Sequence, residues 1–322
     1  MNVLFWHVHG TYTEAFVSGP HTYVLPVTQP RDTWGLGLPP DVDWPAGARE
    51  VSVEEVSDAS IDVVVAQRPE EITLARRWLG QRPGIDIPLV YLEHNTPGGS
   101  VPFTRHPMAD RHDCLLVHVT QFNALMWDTG HTETVVVRHG LPDPGQRWSP
   151  AERRLAAVIN EPVRRGRAVG TDLLPSFAGA VGVDLFGMKV SGAAEQLGCD
   201  PRRLRCHEDL PRRHLHDRMC RLGAYLHVNR WTSLGLSLVE AMFLGIPVVV
   251  LATTEAPAVV PPAAGALSSD PAELLDAARR LLADPRRAED AGEIARQSAV
   301  DRFGLSRFID DWNSLLDEAL AS

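Results

Sequence analysis

The side chains best suited to chemistry in this sequence stand in short polar stretches that follow apolar runs. Tyr225-Leu226-His227-Val228 leads into Asn229-Arg230-Trp231-Thr232-Ser233-Leu234-Gly235. Next comes Leu236-Ser237-Leu238-Val239-Glu240-Ala241-Met242, with the apolar spacing of a helix. A strand, a glycine-containing turn and a helix start make an anion cradle. The first N–H groups of a helix have no intrahelical partner and lie at the positive end of its dipole. Gly235 lets a ligand approach the backbone, and the N–H groups of Ser233, Leu234, Gly235 and Leu236 are candidates to hold a diphosphate. Glu240 lies one turn further in. Its carboxylate suits two vicinal hydroxyls, as a ribose offers, and equally suits an acid that merely complements the dipole.

A second run, Val158-Ile159-Asn160, is followed by Arg164, Arg165 and Arg167. Arginine grips phosphate oxygens bidentately, so this cluster suits a diphosphate; a solvated basic loop is the alternative. Of the 31 basic residues only Lys189 is a lysine, so any phosphate-binding cation is expected to be arginine. That bias, with the Ala, Pro and Asp content, suggests a GC-rich bacterial genome. A third run, Tyr91-Leu92-Glu93, ends at His94-Asn95, and a first, ending at Trp6, continues His7-Val8-His9-Gly10-Thr11. The pairs His7/His9 and His214/His216 invite a metal, but His214 and His216 lie in a helical pattern where i and i+2 diverge. No metal and no cofactor is expected.

These stretches need elements to carry them. Continuous apolar runs at 61–66, 89–92, 115–119, 134–137, 156–159, 183–186, 224–228 and 246–251 read as strands buried on both faces. Helical patterns fall around 71–78, 171–180, 211–221 and 236–244, and in the tail at 271–282, 286–300 and 305–319. Alternating strand and helix predicts doubly wound α/β domains with parallel sheets, whose ligands lie beyond the strands' C-terminal ends. Residues 10–48 are rich in Pro and Gly and show no convincing helical period, only a possible strand at 22–27. Trp148-Ser149-Pro150 looks like a linker. Two α/β units with a cleft between them are expected, residues 1–145 and 151–302, with residues 303–322 forming a last helix that braces the first unit.

Composition narrows the class. A net charge of −10 argues against nucleic acid and against strong attraction to an anionic membrane. No apolar run approaches the roughly 20 residues that span a bilayer. The opening Met1-Asn2-Val3-Leu4-Phe5-Trp6 has no basic region before it and reads as a buried strand, not a signal peptide. Cys114, Cys199, Cys206 and Cys220 lack C-x-x-C spacing and are expected to be free thiols in a reducing, cytoplasmic setting.

The string from Leu236 to Met242, followed by Gly245-Ile246-Pro247-Val248-Val249-Val250, resembles the donor-site signature of retaining GT-B glycosyltransferases. This is the large sucrose-synthase and mannosyltransferase-like family, glycosyl transferases group 1. The resemblance covers most of the C-terminal half and, more weakly, the N-terminal half. It implies a GT-B fold of two Rossmann-like domains, with Glu240 on the donor ribose and Arg164 on the diphosphate. The family's usual lysine position is Val169, so Arg165 or Arg167 would substitute. His94 matches a strand-end histidine that faces the reacting sugar, donating to a donor hydroxyl or to the leaving phosphate. Gly10 matches, in placement only, a loop beside the donor phosphates, and His139-Gly140-Leu141-Pro142-Asp143 resembles the ending of the N-terminal domain.

The main departure lies eight positions before Glu240, where the family usually has a second Glu facing the sugar and this sequence has Thr232. The resemblance implies metal-independent transfer from a nucleotide-diphosphate sugar to an unidentified hydroxyl acceptor, be it glycan, lipid or small molecule, entering along residues 10–48. Two other readings stay open: a GT-B protein that binds without turnover, or an epimerase acting on the nucleotide sugar through Glu93 and Glu161.

Overall fold

A computed structural model describes residues 1–39 and 43–321, so positions 40–42 of the irregular segment and position 322 of the last helix lie outside the described residues. The chain divides into two compact units, residues 1–142 with 303–322, and residues 143–302.

The first unit holds a sheet of seven strands: β1 (Asn2–Phe5), β2 (Thr22–Val27), β3 (Ala48–Ser52), β4 (Val63–Ala66), β5 (Leu89–Glu93), β6 (Leu115–His118) and β7 (Thr134–Val136). Their order is β3-β2-β1-β4-β5-β6-β7, and every pair is parallel. Helices α1 (Gly10–Phe16), α2 (Pro69–Leu79) and α3 (Gln121–Met126) belong here, together with the last helix of the chain. Successive strand residues face opposite sides. Val63 and Val65 join one core with Phe5, Leu92 and Val117; Val64 and Ala66 join the other with Leu4, Tyr91 and Leu116. Both faces are therefore apolar, which is why these strands read as unbroken runs.

The second unit repeats the plan with β8 (Glu152–Val158), β9 (Val183–Gly187), β10 (Leu204–Glu208), β11 (Leu222–His227), β12 (Val248–Leu251) and β13 (Gly265–Ser268). Their order is β10-β9-β8-β11-β12-β13, again parallel throughout. Its helices are α4 (Pro162–Arg165), α5 (Leu174–Val181), α6 (Ala193–Gln196), α7 (Arg212–Met219), α8 (Leu236–Phe243), α9 (Ala256–Val259), α10 (Pro271–Ala283) and α11 (Pro285–Phe303). The chain ends in α12 (Leu305–Ala321), whose Phe308, Trp312, Leu315 and Leu316 enter the core of the first unit. Trp312 donates its indole N–H to the Tyr12 hydroxyl at 3.0 Å. Gly140 is needed beneath this helix, since a Cβ there would lie 2.1 Å from that of Phe308.

Several elements differ from expectation. Within residues 10–48 the chain forms α1, whose Gly, Thr and Tyr are weak helix formers held by burial of Tyr12, Ala15 and Phe16. Edge strands β3, β10 and β13 carry few apolar residues, because an edge covered on fewer sides needs fewer. The helix expected from 171 begins as a 3-10 turn, Thr171–Leu173. Trp148-Ser149-Pro150 is not a free linker: the Trp148 indole donates to Leu222 O at 2.9 Å and packs on the second unit's core.

Each sheet reverses its winding once, between β1 and β4 in the first unit and between β8 and β11 in the second. A crevice opens beyond the strand ends at such a reversal, and that is where ligands of open α/β sheets bind. The polar stretches singled out above lie there or on the adjacent strand.

Candidate functional site

In the second unit the chain leaves β11 at His227 and enters α8 at Gly235. No side chain caps this helix start; Leu238 N–H donates back to Gly235 O at 3.0 Å, and the N–H groups of Leu236 and Ser237 are the candidates to meet a ligand. Gly235 is sterically required, because a Cβ would stand 2.5 Å from His227 Cε1. Burial holds the His227 imidazole neutral, pushed down to about 4. The Tyr225 hydroxyl donates to Ser237 Oγ at 2.8 Å and fixes the first turn. Ser233 and Leu234 are buried, whereas Gly235 and Leu236 are partly exposed. Thr232 is partly exposed, and its hydroxyl accepts from Asn229 Nδ2 at 3.4 Å.

The loop after β8 is stitched to the loop after β11. Arg230 N–H and Trp231 N–H both donate to Ala168 O, at 2.9 and 3.0 Å. Gly170 has φ +74° and lies so close to Val228 that a Cβ would sit 2.0 Å from its carbonyl oxygen. Asp172 accepts from Arg230 at 2.5 Å and from Arg167 at 2.8 Å. Arg167 is thus committed to a carboxylate. Arg164 is committed too: it pairs with Glu161, which also takes Lys189 Nζ at 2.6 Å. These cations hold the Glu161 carboxyl down at about 2. Arg165 has no carboxylate partner among the described residues; protein packed around its stem, then the Arg164 charge, lower its pKa although its surface is exposed. Val169, at the family's lysine position, is buried in the core.

Glu240 is largely buried on α8, and its carboxylate faces α7. His216 Nε2 stands 3.7 Å away and Arg212 Nε 3.9 Å, both beyond hydrogen-bond reach. His214 is exposed while His216 is buried, so the pair diverges as helical spacing dictates. Neither Arg212 nor His216 was anticipated as a site residue. The available signal was the inward position of His216, three before buried Met219 on one helix face.

At the winding reversal of the first unit, Gln67 follows β4 and His94 follows β5. Gln67 donates to Trp6 O at 2.7 Å, and its Oε1 lies 2.9 Å from His94 Nε2. The ring of His94 lies 4.3 Å from that of His9 and 4.6 Å from that of Tyr12. Burial first, then the neighbouring His9 and His139, push His94 well below the usual histidine range. His9 is exposed at its outer edge, yet the protein around it lowers its pKa as well. His7 Nδ1 is 2.9 Å from Gly37 O. Gly10 opens α1; a Cβ there would meet only His7 Nε2, at 3.8 Å, so packing does not demand glycine.

The two acids an epimerase would use are both occupied. Glu93 is buried, accepting from Asn95 N–H at 2.6 Å and lying 3.0 Å from His106 Nε2. Glu161 holds Arg164 and Lys189. Among the described residues no group of three or more His, Cys, Asp or Glu is arranged to hold a metal ion. No helix among them is long and apolar enough to cross a membrane.

Residues 203–298 match the family model described as glycosyl transferases group 1. No curated protein matches the chain by sequence. Solved structures do match it. Sucrose-phosphate synthase from Thermosynechococcus elongatus is 14% identical, with a TM-score of 0.73 and 99% of each chain covered. Anabaena HepE, in complex with UDP and glucose, is 15% identical, with a TM-score of 0.72, 99% of this chain and 100% of that one covered. WaaG, a glycosyltransferase involved in lipopolysaccharide biosynthesis, is 14% identical, with a TM-score of 0.67, 98% and 99% covered. The shared fold is GT-B.

Proposed function

We propose that this glycosyltransferase, with its group 1 domain at residues 203–298, moves a sugar from a nucleoside-diphosphate donor to a hydroxyl acceptor with retention at the anomeric carbon. The observation that carries the proposal is the uncapped start of α8 behind Gly235, with Glu240 one turn inside. The helix-end N–H groups receive the diphosphate, and Glu240 accepts from the ribose hydroxyls. Arg165, which has no carboxylate ion pair among the described residues, supplies a cation, and Arg164 joins it to the extent that phosphate competes with Glu161. HepE, of the same fold, has been captured with UDP and glucose, which supports a nucleotide-sugar donor here.

The bond from the anomeric carbon to the phosphate oxygen breaks, and the acceptor oxygen bonds to the same face of that carbon. The acceptor proton passes to the departing diphosphate. The protein's contribution is chiefly electrostatic: fixed N–H dipoles and guanidinium groups stabilise charge as it develops on the leaving group. The acceptor is recognised by the first unit, and no metal is required, so turnover survives EDTA. Loss of turnover restored by manganese or magnesium would refute metal independence. Four free thiols suit a reducing compartment, and we place the protein in the cytoplasm. The experiment is isothermal calorimetry with UDP, GDP, ADP and TDP, followed by sugar release from the matching nucleotide sugars. Binding without any sugar release or transfer would favour a binding protein instead.

A further inference from the structure

Gln67 lies beside the first unit's winding reversal and is 7% exposed. Its amide nitrogen is 2.7 Å from the backbone carbonyl of Trp6. A carbonyl oxygen can only accept, so the orientation of this amide is fixed by its surroundings. Its other end, Oε1, therefore faces His94 Nε2 at 2.9 Å. Oε1 can only accept as well, so the Nε2 position of His94 must carry the proton. In a neutral imidazole the remaining nitrogen, Nδ1, is then a bare lone pair. No hydrogen-bond partner meets Nδ1 among the described residues, and it is not among the fully buried, unpaired side-chain atoms.

The ring's surroundings hold both its place and its charge state. Asn123 Nδ2 donates to His94 O at 3.2 Å, and the rings of His9 and Tyr12 close on two sides. The titratable groups around it are His9, just before α1, Tyr12 on α1 and His139 after β7; desolvation, then His9 and His139, disfavour the imidazolium.

We propose that Gln67 is a positioning residue that locks His94 in the Nε2–H form and leaves Nδ1 to accept a hydrogen bond from a substrate hydroxyl. This rests on the glycosyltransferase function proposed above and names what His94 recognises. It reverses the sense of the hydrogen bond expected from the sequence. A phosphate oxygen without a proton would set lone pair against lone pair at Nδ1, so the leaving diphosphate is not the partner.

The test is ¹⁵N-resolved NMR of the histidine rings in the ligand-free full chain at neutral pH, with the His94 signal assigned by its loss in His94→Gln. The parent is expected to show protonated Nε2 and unprotonated Nδ1. Gln67→Met removes the acceptor at similar length and should let the two tautomers average. The ring signals of the other buried histidines, unchanged in Gln67→Met, separate loss of the tautomer lock from a general loss of fold. Calorimetry gives the second readout. The nucleoside diphosphate that binds the parent, having no sugar, should bind Gln67→Met within about twofold. Sugar transfer or release should fall about tenfold in kcat/KM, the scale of one hydrogen bond. A parent with Nδ1 protonated, an unchanged tautomer in Gln67→Met, or a tenfold loss of diphosphate affinity in that variant would overturn the proposal. If no nucleoside diphosphate binds the parent, the donor-site proposal fails, while the NMR result still decides the tautomer.

Discussion

Arg165, unlike Arg164 and Arg167, forms no carboxylate ion pair among the described residues, and that difference changes which arginine should matter most. The sequence ranks Arg164 first because it matches a family position, but ion pairs are invisible in sequence spacing. Arg165→Ala should weaken nucleoside-diphosphate binding by about ten- to a hundredfold, the scale of a lost charged hydrogen bond. Arg164→Ala should cost less, since its partner Glu161 is neutralised by Lys189 as well. Calorimetry on both variants checks the ranking, and a larger loss in Arg164→Ala would reverse it. Glu240→Ala should abolish tight binding of every donor, whereas Thr232→Ala should change affinity only modestly, because a neutral hydroxyl grips less than a carboxylate. A donor panel on both variants reads this, and equal damage would place the sugar subsite around the hydroxyl. His94 stands out in the sequence because it directly follows the apolar β5 run, and Glu240 because it lies within the apolar spacing of α8. Gln67, Arg212 and His216 were not, since strand order and helix facing bring them to those residues from elsewhere in the chain.

Among elements, the buried central strands and the edge strand β7 announced themselves, whereas the edge strands β3, β10 and β13 did not. β4 is four apolar residues in a row, but β10 reads Leu-Arg-Cys-His-Glu and gives no such signal. Similarly, α12 has strong amphipathic spacing, whereas α1 exists because Tyr12 and Phe16 are buried. Trp312→Ala on α12 should therefore destabilise the first unit by about 3–5 kcal/mol, as large-to-small core changes do. Denaturant unfolding measures this, and a loss below about 1 kcal/mol would mean that α12 does not brace that core. The 166–170 turn makes a contrasting case, in which one glycine sets a loop. Gly170→Ala combines a left-handed backbone with a Cβ pressed on the Val228 carbonyl. It should displace the loop that Arg230 and Trp231 anchor and weaken nucleotide binding, with calorimetry and a melting curve separating the two effects.

Across the whole molecule, three buried histidines tie stability to pH. Burial lowers His118 and His227 to about 4 and His139 to about 3, whereas an unfolded chain has histidine near 6.5. Below about pH 6.5 the unfolded state binds protons that the folded state refuses, so stability present above that pH is lost as pH falls toward 4. The melting temperature should fall across that window, and His118→Leu, at a site where neither ring nitrogen has a partner, should reduce the slope. An unchanged slope would show that His118 is not buried neutral. Donor binding at the second unit is tested most directly by thermal shift against UDP-, GDP-, ADP- and TDP-sugars, with Glu240→Ala and Arg165→Ala alongside the parent. At about 100 times its dissociation constant, a ligand of the folded state stabilises by about 2.7 kcal/mol. One nucleotide sugar should raise the parent's melting temperature accordingly, with the shift lost in Glu240→Ala and diminished in Arg165→Ala. A parent that responds to none of the four, or a shift that both variants retain in full, would contradict a donor site at the start of α8.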